Sequence, residues 1–379
     1  MTDTRSDAPT SRPPVVVLLG GPSAEHDVSI VSGTAIADAL RVAGLEVREV
    51  LVDLDGRWWW LPAEHRRGDR PQSAYDDPTA VGGEGPLRAG AALDRLAAAR
   101  PEPVVFIALH GPFGEDGTVQ AMLEGVGLAY TGSGVLASAL GMDKVLQKRL
   151  WRGLGLPVVD WREVTAARWA RGRDAVLAEL EAFAAANAEP RLMVKPARLG
   201  SSVGMTLAHA PDERADALDL AFRYDTLAVV ERYIPAARDL EVSIIGNEAP
   251  LGVYGPGEVV AGHEFYDYAA KYTPGLSETS SHAELEPGRR ELVRKLARDA
   301  YRAIGCEGFA RVDFLARDDE LYISEINTIP GFTPISLFPT LPAEVGLDFT
   351  AVCRSVLDLA LERHAARVGR HLIPADLPR

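Results

Sequence analysis

Between residues 310 and 331 the chain reads ARVDFLARDDELYISEINTIPG. Two runs of alternating apolar and polar residues flank an acidic turn, the pattern of a half-buried β-hairpin. Side chains two apart share a strand face, so Arg311 and Asp313 point one way and Val312 and Phe314 the other. Glu325 and Asn327 likewise share a face. A three-residue loop over 318–320 pairs 313 with 325 and 311 with 327, which brings all four polar groups together. Two carboxylates and a carboxamide form an oxygen-rich set suited to a hard cation such as Mg²⁺, completed by phosphate oxygens. Arg311 offsets part of the negative charge. A plain solvated hairpin face accounts for the carboxylates but not for Asn327 followed by Thr328-Ile329-Pro330-Gly331.

The 379 residues fit two or three domains with cores of their own. Residues 1–14 read as a disordered tail without the apolar segment of a signal peptide. From residue 15 short apolar strands (15–19, 45–54, 104–109) alternate with helical patterns, which predicts a parallel α/β domain over 15–132. Trp58-Trp59-Trp60 follows a hairpin signal at Asp55-Gly56 and is expected to pack under a sheet edge. An α+β unit follows over 133–233, opening with one long helix from 135 to 152 and containing strands at 157–164, 191–195, 205–208 and 226–233. The last segment, 234–379, holds a polar loop at 262–282, a helix at 289–304, the hairpin, and a terminal helix at 349–368.

A net charge of −14 argues against general nucleic-acid binding. No apolar run is long enough to span a membrane. Cys306 and Cys353 have the spacing of neither a disulfide framework nor a zinc site. A cytoplasmic, soluble protein is expected. Of 40 basic residues only five are Lys (144, 148, 195, 271 and 295). A chain that otherwise uses Arg can reserve Lys for sites that want a compact point charge.

Other segments carry chemistry. Glu25, at a helix start after Gly20-Gly21-Pro22, suits either the helix dipole or a ligand ammonium. His110 ends a strand and opens HGPFGEDG, on the edge where α/β sheets bind ligands. Lys195 precedes Gly200-Ser201-Ser202-Val203-Gly204, a flexible turn able to wrap phosphate oxygens. The same turn matches GxSxG with Ser202 central, which raises a serine-hydrolase alternative. That motif needs a strand directly before the Ser and a helix directly after, and neither is expected. Residues 229–234 form an apolar strand whose polar end could read an adenine edge through its backbone. The loop residues Tyr266, Tyr268, Lys271 and Tyr272 could close over a ligand. A nucleotide-binding module without catalysis is a third alternative; the Arg311, Asp313, Glu325 and Asn327 set argues against it.

LLGGPSAEHDVSIVSG, ALHGPFGEDGTVQ, YTGSGVLASALGMDK, VKPARLGSSVGM, HEFYDYAAKY and RVDFLARDDELYISEINTIPGFT occur in this order across nearly the whole chain. Together they resemble the D-alanine–D-alanine ligase family of the ATP-grasp superfamily. The resemblance implies an N-terminal α/β domain followed by a two-lobed ATP-grasp fold. It implies ATP-dependent joining of two D-alanines through an acyl phosphate, giving ADP and phosphate, for peptidoglycan precursors. Mg²⁺ or Mn²⁺, two ions, and a homodimer are expected. By position, Glu25 matches the carboxylate near the first D-alanine's ammonium, and Ser201 and Tyr272 its hydroxyl network. Arg311 and the Gly331 backbone match oxyanion stabilisers, and Asp313, Glu325 and Asn327 the metal ligands. Lys144, Lys195 and Lys271 match phosphate contacts, with Ser202 in the same turn. Glu231, Arg232, Tyr233 and Ile234 match the adenine-reading strand, and Glu241 the ribose contact. His110, Ser336 and Leu337 match the lining of the D-alanine subsites. Arg232 stands where Lys is common, and Leu199 where an acid can occur. Tyr272 favours D-alanine over D-lactate as second substrate.

Overall fold

A computed structural model describes residues 12–261 and 277–369. The chain builds three sheets in succession. The first contains β1 (Val15–Gly20), β2 (Val47–Val52), β3 (Trp58–Trp60), β4 (Glu84–Leu87), β5 (Val104–Ile107) and β6 (Ala129–Tyr130), in spatial order β4-β3-β2-β1-β5-β6. Its centre is parallel, and β3 and β4 add an antiparallel edge. The tryptophans of β3 are all buried. They form a strand within the sheet, one place in from its edge, with Trp58 and Trp60 in one core and Trp59 in another.

The second sheet is antiparallel and runs β7-β10-β8-β9, with β7 at Trp161–Thr165, β8 at Leu192–Pro196, β9 at Thr206–Ala208 and β10 at Leu227–Arg232. The third, also antiparallel, runs β13-β12-β11-β14-β15, with β11 at Arg238–Ile245, β12 at Gly252–Ala261, β13 at Ser277–Ser280, β14 at Phe309–Arg317 and β15 at Glu320–Asn327. Part of the expected 262–282 loop is thus edge strand β13.

The hairpin shows how register is set. Arg317 pairs with Glu320, so the turn has two residues, Asp318 and Asp319, where three were expected. That change alone would shift every pair by one and turn Glu325 to the other face. A β-bulge compensates. Phe314 pairs with Ile323 but Asp313 with Glu325, which leaves Ser324 as the extra residue. The 313–325 and 311–327 pairs are therefore those expected, by a different route.

The helix expected over 135–152 is two helices, Val135–Met142 and Lys144–Gly153. Asp143 leaves the helical region and its carboxylate accepts from Val145 N (3.0 Å) and Leu146 N (2.9 Å), an N-cap that restarts the helix. The break frees Lys144 N to donate to Ala197 O at 3.0 Å, which ties Lys144 to the end of β8. The strand expected over 157–164 is shorter; its first half instead bridges to β15 at Val158–Ile323.

The helix Phe349–Val368 lies in sequence after the third sheet yet packs on the first. Val352, Val356 and Ala360 share a core with Val15, Val17 and Phe106. Phe332 is the hub of that core. Its ring meets Phe106, Phe309, Phe338 and Phe349 at 5.2–5.8 Å between centroids. These rings come from β5, β14, the Leu337–Thr340 turn and the terminal helix. Truncating a ring so placed removes both transfer free energy and packing. Phe332→Ala is expected to cost about 3–5 kcal/mol of stability, read from chemical denaturation. An unchanged midpoint would show that the sheets do not depend on this contact.

Candidate functional site

Polar groups from all three sheets converge near the Gly200–Gly204 turn. Glu25 begins the helix His26–Val42 but does not cap it through its side chain. The carboxylate turns toward the second sheet and accepts a hydrogen bond from Ser201 Oγ through Oε1. Oε2 is buried and has no hydrogen-bond partner among the described residues. Glycine makes the approach possible. A Cβ on Gly111 or on Gly200 would stand 2.7 Å from Glu25 Oε2. Ser201 and Ser202 both have left-handed φ, +49° and +56°, so the turn itself is held in an uncommon conformation. It links antiparallel β8 and β9. That is not the strand-to-helix elbow that a serine hydrolase needs at Ser202.

At one end of the third sheet Asp313 accepts two parallel bonds from Arg311, Nε to Oδ1 and Nη2 to Oδ2, each 2.7 Å. Asn327 Nδ2 donates to Asp313 Oδ2 at 2.9 Å. Glu241, opposite Asp313 on β11, reaches Arg311 Nε at 3.2 Å. Burial by itself would lower the Arg311 guanidinium; Asp313 and Glu241 instead hold it well above its ordinary value. Glu325 pairs with Lys144 at 3.0 Å, and Lys144 also donates to Leu199 O at 2.8 Å. Asp313, Glu325 and Asn327 thus share one strand face as expected.

A second charged group lies on the second sheet. Glu231, 3% exposed, takes Lys148 at 2.7 Å and Lys195 at 2.8 Å. Burial would raise its carboxyl, but the two lysines prevail and hold it at about 2. Lys148 is one residue to which sequence reasoning gave no role. The scarcity of Lys pointed to it, since Lys144, Lys148 and Lys195 all serve these two acids.

Several expected positions look different in three dimensions. His110 is buried, and protein groups engage both ring nitrogens, Nδ1 at 2.9 Å from Ile329 O and Nε2 at 2.9 Å from Ser32 Oγ. It braces two elements of the structure. Glu241 sits against Arg311; Lys195 feels Glu231 first, then Glu325, and only last Asp239, two residues before Glu241 on the same face. The Arg232 side chain turns to Tyr322 Oη (2.8 Å) and Glu320 (3.2 Å). Tyr233 and Ile234 are buried, Tyr233 beneath the Arg191 guanidinium at 4.7 Å. Ser336 Oγ binds Thr333 N and Oγ1, while Leu337 packs with Val259 and Leu341. Glu115 was not singled out. It accepts from Gly111 N at 3.1 Å and lines a small cleft with Lys144, Gly200, Glu325 and Asn327. Burial first, then repulsion from Glu25, raises its carboxyl well above the usual range. Lys271 and Tyr272 lie outside the described residues.

Comparison with known proteins fits this geometry. Residues 14–133 match the family model "D-ala D-ala ligase N-terminus" and residues 150–358 match "D-ala D-ala ligase C-terminus". The chain belongs to the D-alanine–D-alanine ligase family. Among its relatives, the D-alanine–D-alanine ligase of Chloroherpeton thalassium is 38% identical over 94% of this chain and 99% of its own. That of Deinococcus radiodurans is 40% identical over 92% and 98%. Among solved structures, the D-alanine–D-alanine ligase of Coxiella burnetii superposes with a TM-score of 0.76 at 28% identity, covering 94% of this chain and 97% of its own. A D-Ala:D-Ser ligase of Enterococcus faecalis gives 0.76 at 27%, covering 92% and 99%. The ATP-grasp architecture expected of this ligase family is the one observed: a parallel α/β unit followed by two antiparallel sheets.

Removing one member of a buried ion cluster strands the others, typically at about 3–5 kcal/mol. Glu231→Gln is expected to lose stability in that range, measured by urea unfolding at pH 7. The Glu231 carboxyl is depressed in the folded state, so its contribution is complete above its ordinary 4.5 and disappears as the pH falls toward about 2. The gap between wild type and variant should therefore close over that interval. A gap that is absent at pH 7, or constant with pH, would contradict the pairing.

Proposed function

We propose that this chain joins two D-alanines at the expense of ATP, with the cleft between the sheets as its active site. The observation that carries the reading is Glu25 Oε2, a buried carboxylate oxygen with no hydrogen-bond partner among the described residues, kept clear by two glycines. An ammonium satisfies such an oxygen, and an α-amino acid brings one. Its carboxylate would then lie toward the charged end of the third sheet.

A carboxylate is a poor acyl donor because its leaving group would be oxide. In the proposed reaction an oxygen of the first D-alanine's carboxylate attacks the γ-phosphorus of ATP, and ADP leaves. Lys144 and Lys195, with Lys271, supply point charges for the oxygens of the transferring group. Glu231 fixes Lys195, and Glu325 with Leu199 O fixes Lys144. The neutral amine of the second D-alanine then attacks the acyl carbon and phosphate departs. Arg311 and the Gly331 N–H receive the oxyanion. Glu25, Ser201 and Tyr272 form the network that takes up the amine's proton.

A divalent cation fits the donors present. Among the described residues no group of three or more His, Cys, Asp or Glu could hold a metal. Asp313, Glu325 and Asn327 provide instead two carboxylates and a carboxamide on one face. Such a sparse hard set suits Mg²⁺ or Mn²⁺ that takes the rest of its shell from phosphate and water, as one ion or two. When bound, it neutralises charge developing on the phosphates. Glu241, beside Arg311, would supply the ribose contact that the family resemblance implies. The family resemblance also supports a homodimer, a cytoplasmic setting and a role in peptidoglycan precursor synthesis.

The test is phosphate release from ATP with D-alanine, L-alanine and D-lactate compared side by side. One phosphate per D-alanyl-D-alanine is expected, with D-alanine far ahead of the other two. Release that is indifferent to D-alanine would overturn the reading. Glu325→Ala should lower the rate at least about 100-fold with the fold intact; near-normal turnover would remove Glu325 from the metal set.

A further inference from the structure

Four atoms of one residue are fastened in an unusual way. The helix His26–Val42 and the turn before it present three serines to His110. Ser23 Oγ donates to His110 O at 2.8 Å, His110 N donates to Ser29 Oγ at 2.7 Å, and Nε2 meets Ser32 Oγ at 2.9 Å. Ser29, Ser32 and His110 are all buried. The fourth bond crosses to the last part of the chain. Nδ1 lies 2.9 Å from Ile329 O. A carbonyl oxygen can only accept, so Nδ1 carries the proton. Burial lowers the imidazole's basicity, which keeps the ring neutral and lets Nε2 accept from the Ser32 hydroxyl.

The far end of this chain of bonds is mechanically stiff. Ile329 precedes Pro330, whose ring fixes its own φ and restricts Ile329 as well. Gly331 follows directly. The Ile329 side chain is seated in the core of the first sheet, with Leu18, Val105 and Leu109. Beyond Gly331, Thr333 is tied to Ser336 at 2.8 Å. Little freedom remains for the peptide that carries the Gly331 N–H.

We propose that Ser32, His110 and the Ile329 carbonyl form a positioning relay that sets the Gly331 N–H relative to Glu25, holding the oxyanion donor in register with the amino-acid site. The relay rests on the ligase reading above. It makes His110 and Ser32 positioning residues that touch no substrate. Its effect falls on the second chemical step, since the oxyanion forms only when the amine attacks. A relay that has slipped leaves phosphoryl transfer intact and slows amine attack, so the acyl phosphate is lost to water as D-alanine and phosphate.

The experiment measures phosphate released per dipeptide formed, with kcat and KM for D-alanine, in wild type, His110→Gln, His110→Asn and Ser32→Ala. Asn places a donor near the Nδ1 position, whereas Gln places its amide near Nε2. Misplacement of about 1 Å can cost about 100-fold. His110→Gln is expected to lose dipeptide synthesis on that scale, to leave the KM values within twofold, and to release two or more phosphates per dipeptide. Ser32→Ala is expected to change in the same direction, about tenfold. His110→Asn should restore a ratio near one. A purely structural role would lower thermal stability and active fraction but keep the ratio at one in every variant, and would overturn the proposal. So would a raised KM with unchanged stoichiometry, which marks direct substrate contact. If wild type itself forms no dipeptide, the ligase reading has failed and not the relay alone.

Discussion

The structure turns on a compact array of half-buried charge where β11, β14 and β15 meet. Arg311 is flanked by Asp313 and Glu241, and Glu325 is held by Lys144. Such arrays are seldom built for stability. Desolvating the ions costs about as much as their attraction returns, and apolar residues of the same shape would serve the fold at least as well. What the array offers is exchangeable charge. Each carboxylate is paired with a cation that a phosphate could also hold, and each cation with a carboxylate that a metal could also hold. A nucleotide arriving with its metal would exchange these pairs without leaving any ion alone.

The remaining architecture aims other groups at that array. The parallel sheet supplies Glu25 at the start of a helix beyond the end of β1, where open α/β sheets place their ligands. The antiparallel second sheet supplies Lys195 and the turn with Ser201. Phe332 and Ile329, on either side of Gly331, sink into cores shared with the first sheet. The loop that carries Gly331 is therefore anchored to the domain that carries Glu25, although some 300 residues separate them. The same fold in a D-Ala:D-Ser ligase shows that this frame does not by itself choose the second substrate. That choice belongs to side chains lining the subsite.

Local pattern made much of this legible. Alternation over 311–314 and 325–327 gave the shared face, and the glycines around Ser201 marked a flexible turn. The turn length was misjudged because a bulge at Ser324 cannot be seen in a binary pattern; the pairing survived because burial of Val312 and Ile326 demands it. Asp143 hid a helix break, since the apolar periodicity runs straight through it. His110 and Glu241 also hold tertiary partners 219 and 70 residues away, which the sequence pattern did not reveal. Distant pairings of this kind leave no periodic trace. Lys148 was visible only through the rarity of its residue type.

The central claim is that Asp313, Glu325 and Asn327 hold a divalent cation together with a nucleotide. Electron paramagnetic resonance of Mn²⁺ added to the full-length chain with ADP tests it most directly. The account predicts a bound-manganese spectrum that needs both protein and ADP and that is lost, or weakened at least about tenfold in affinity, in Asn327→Ala. An equally strong signal in that variant, or no protein-dependent signal at all, would contradict it.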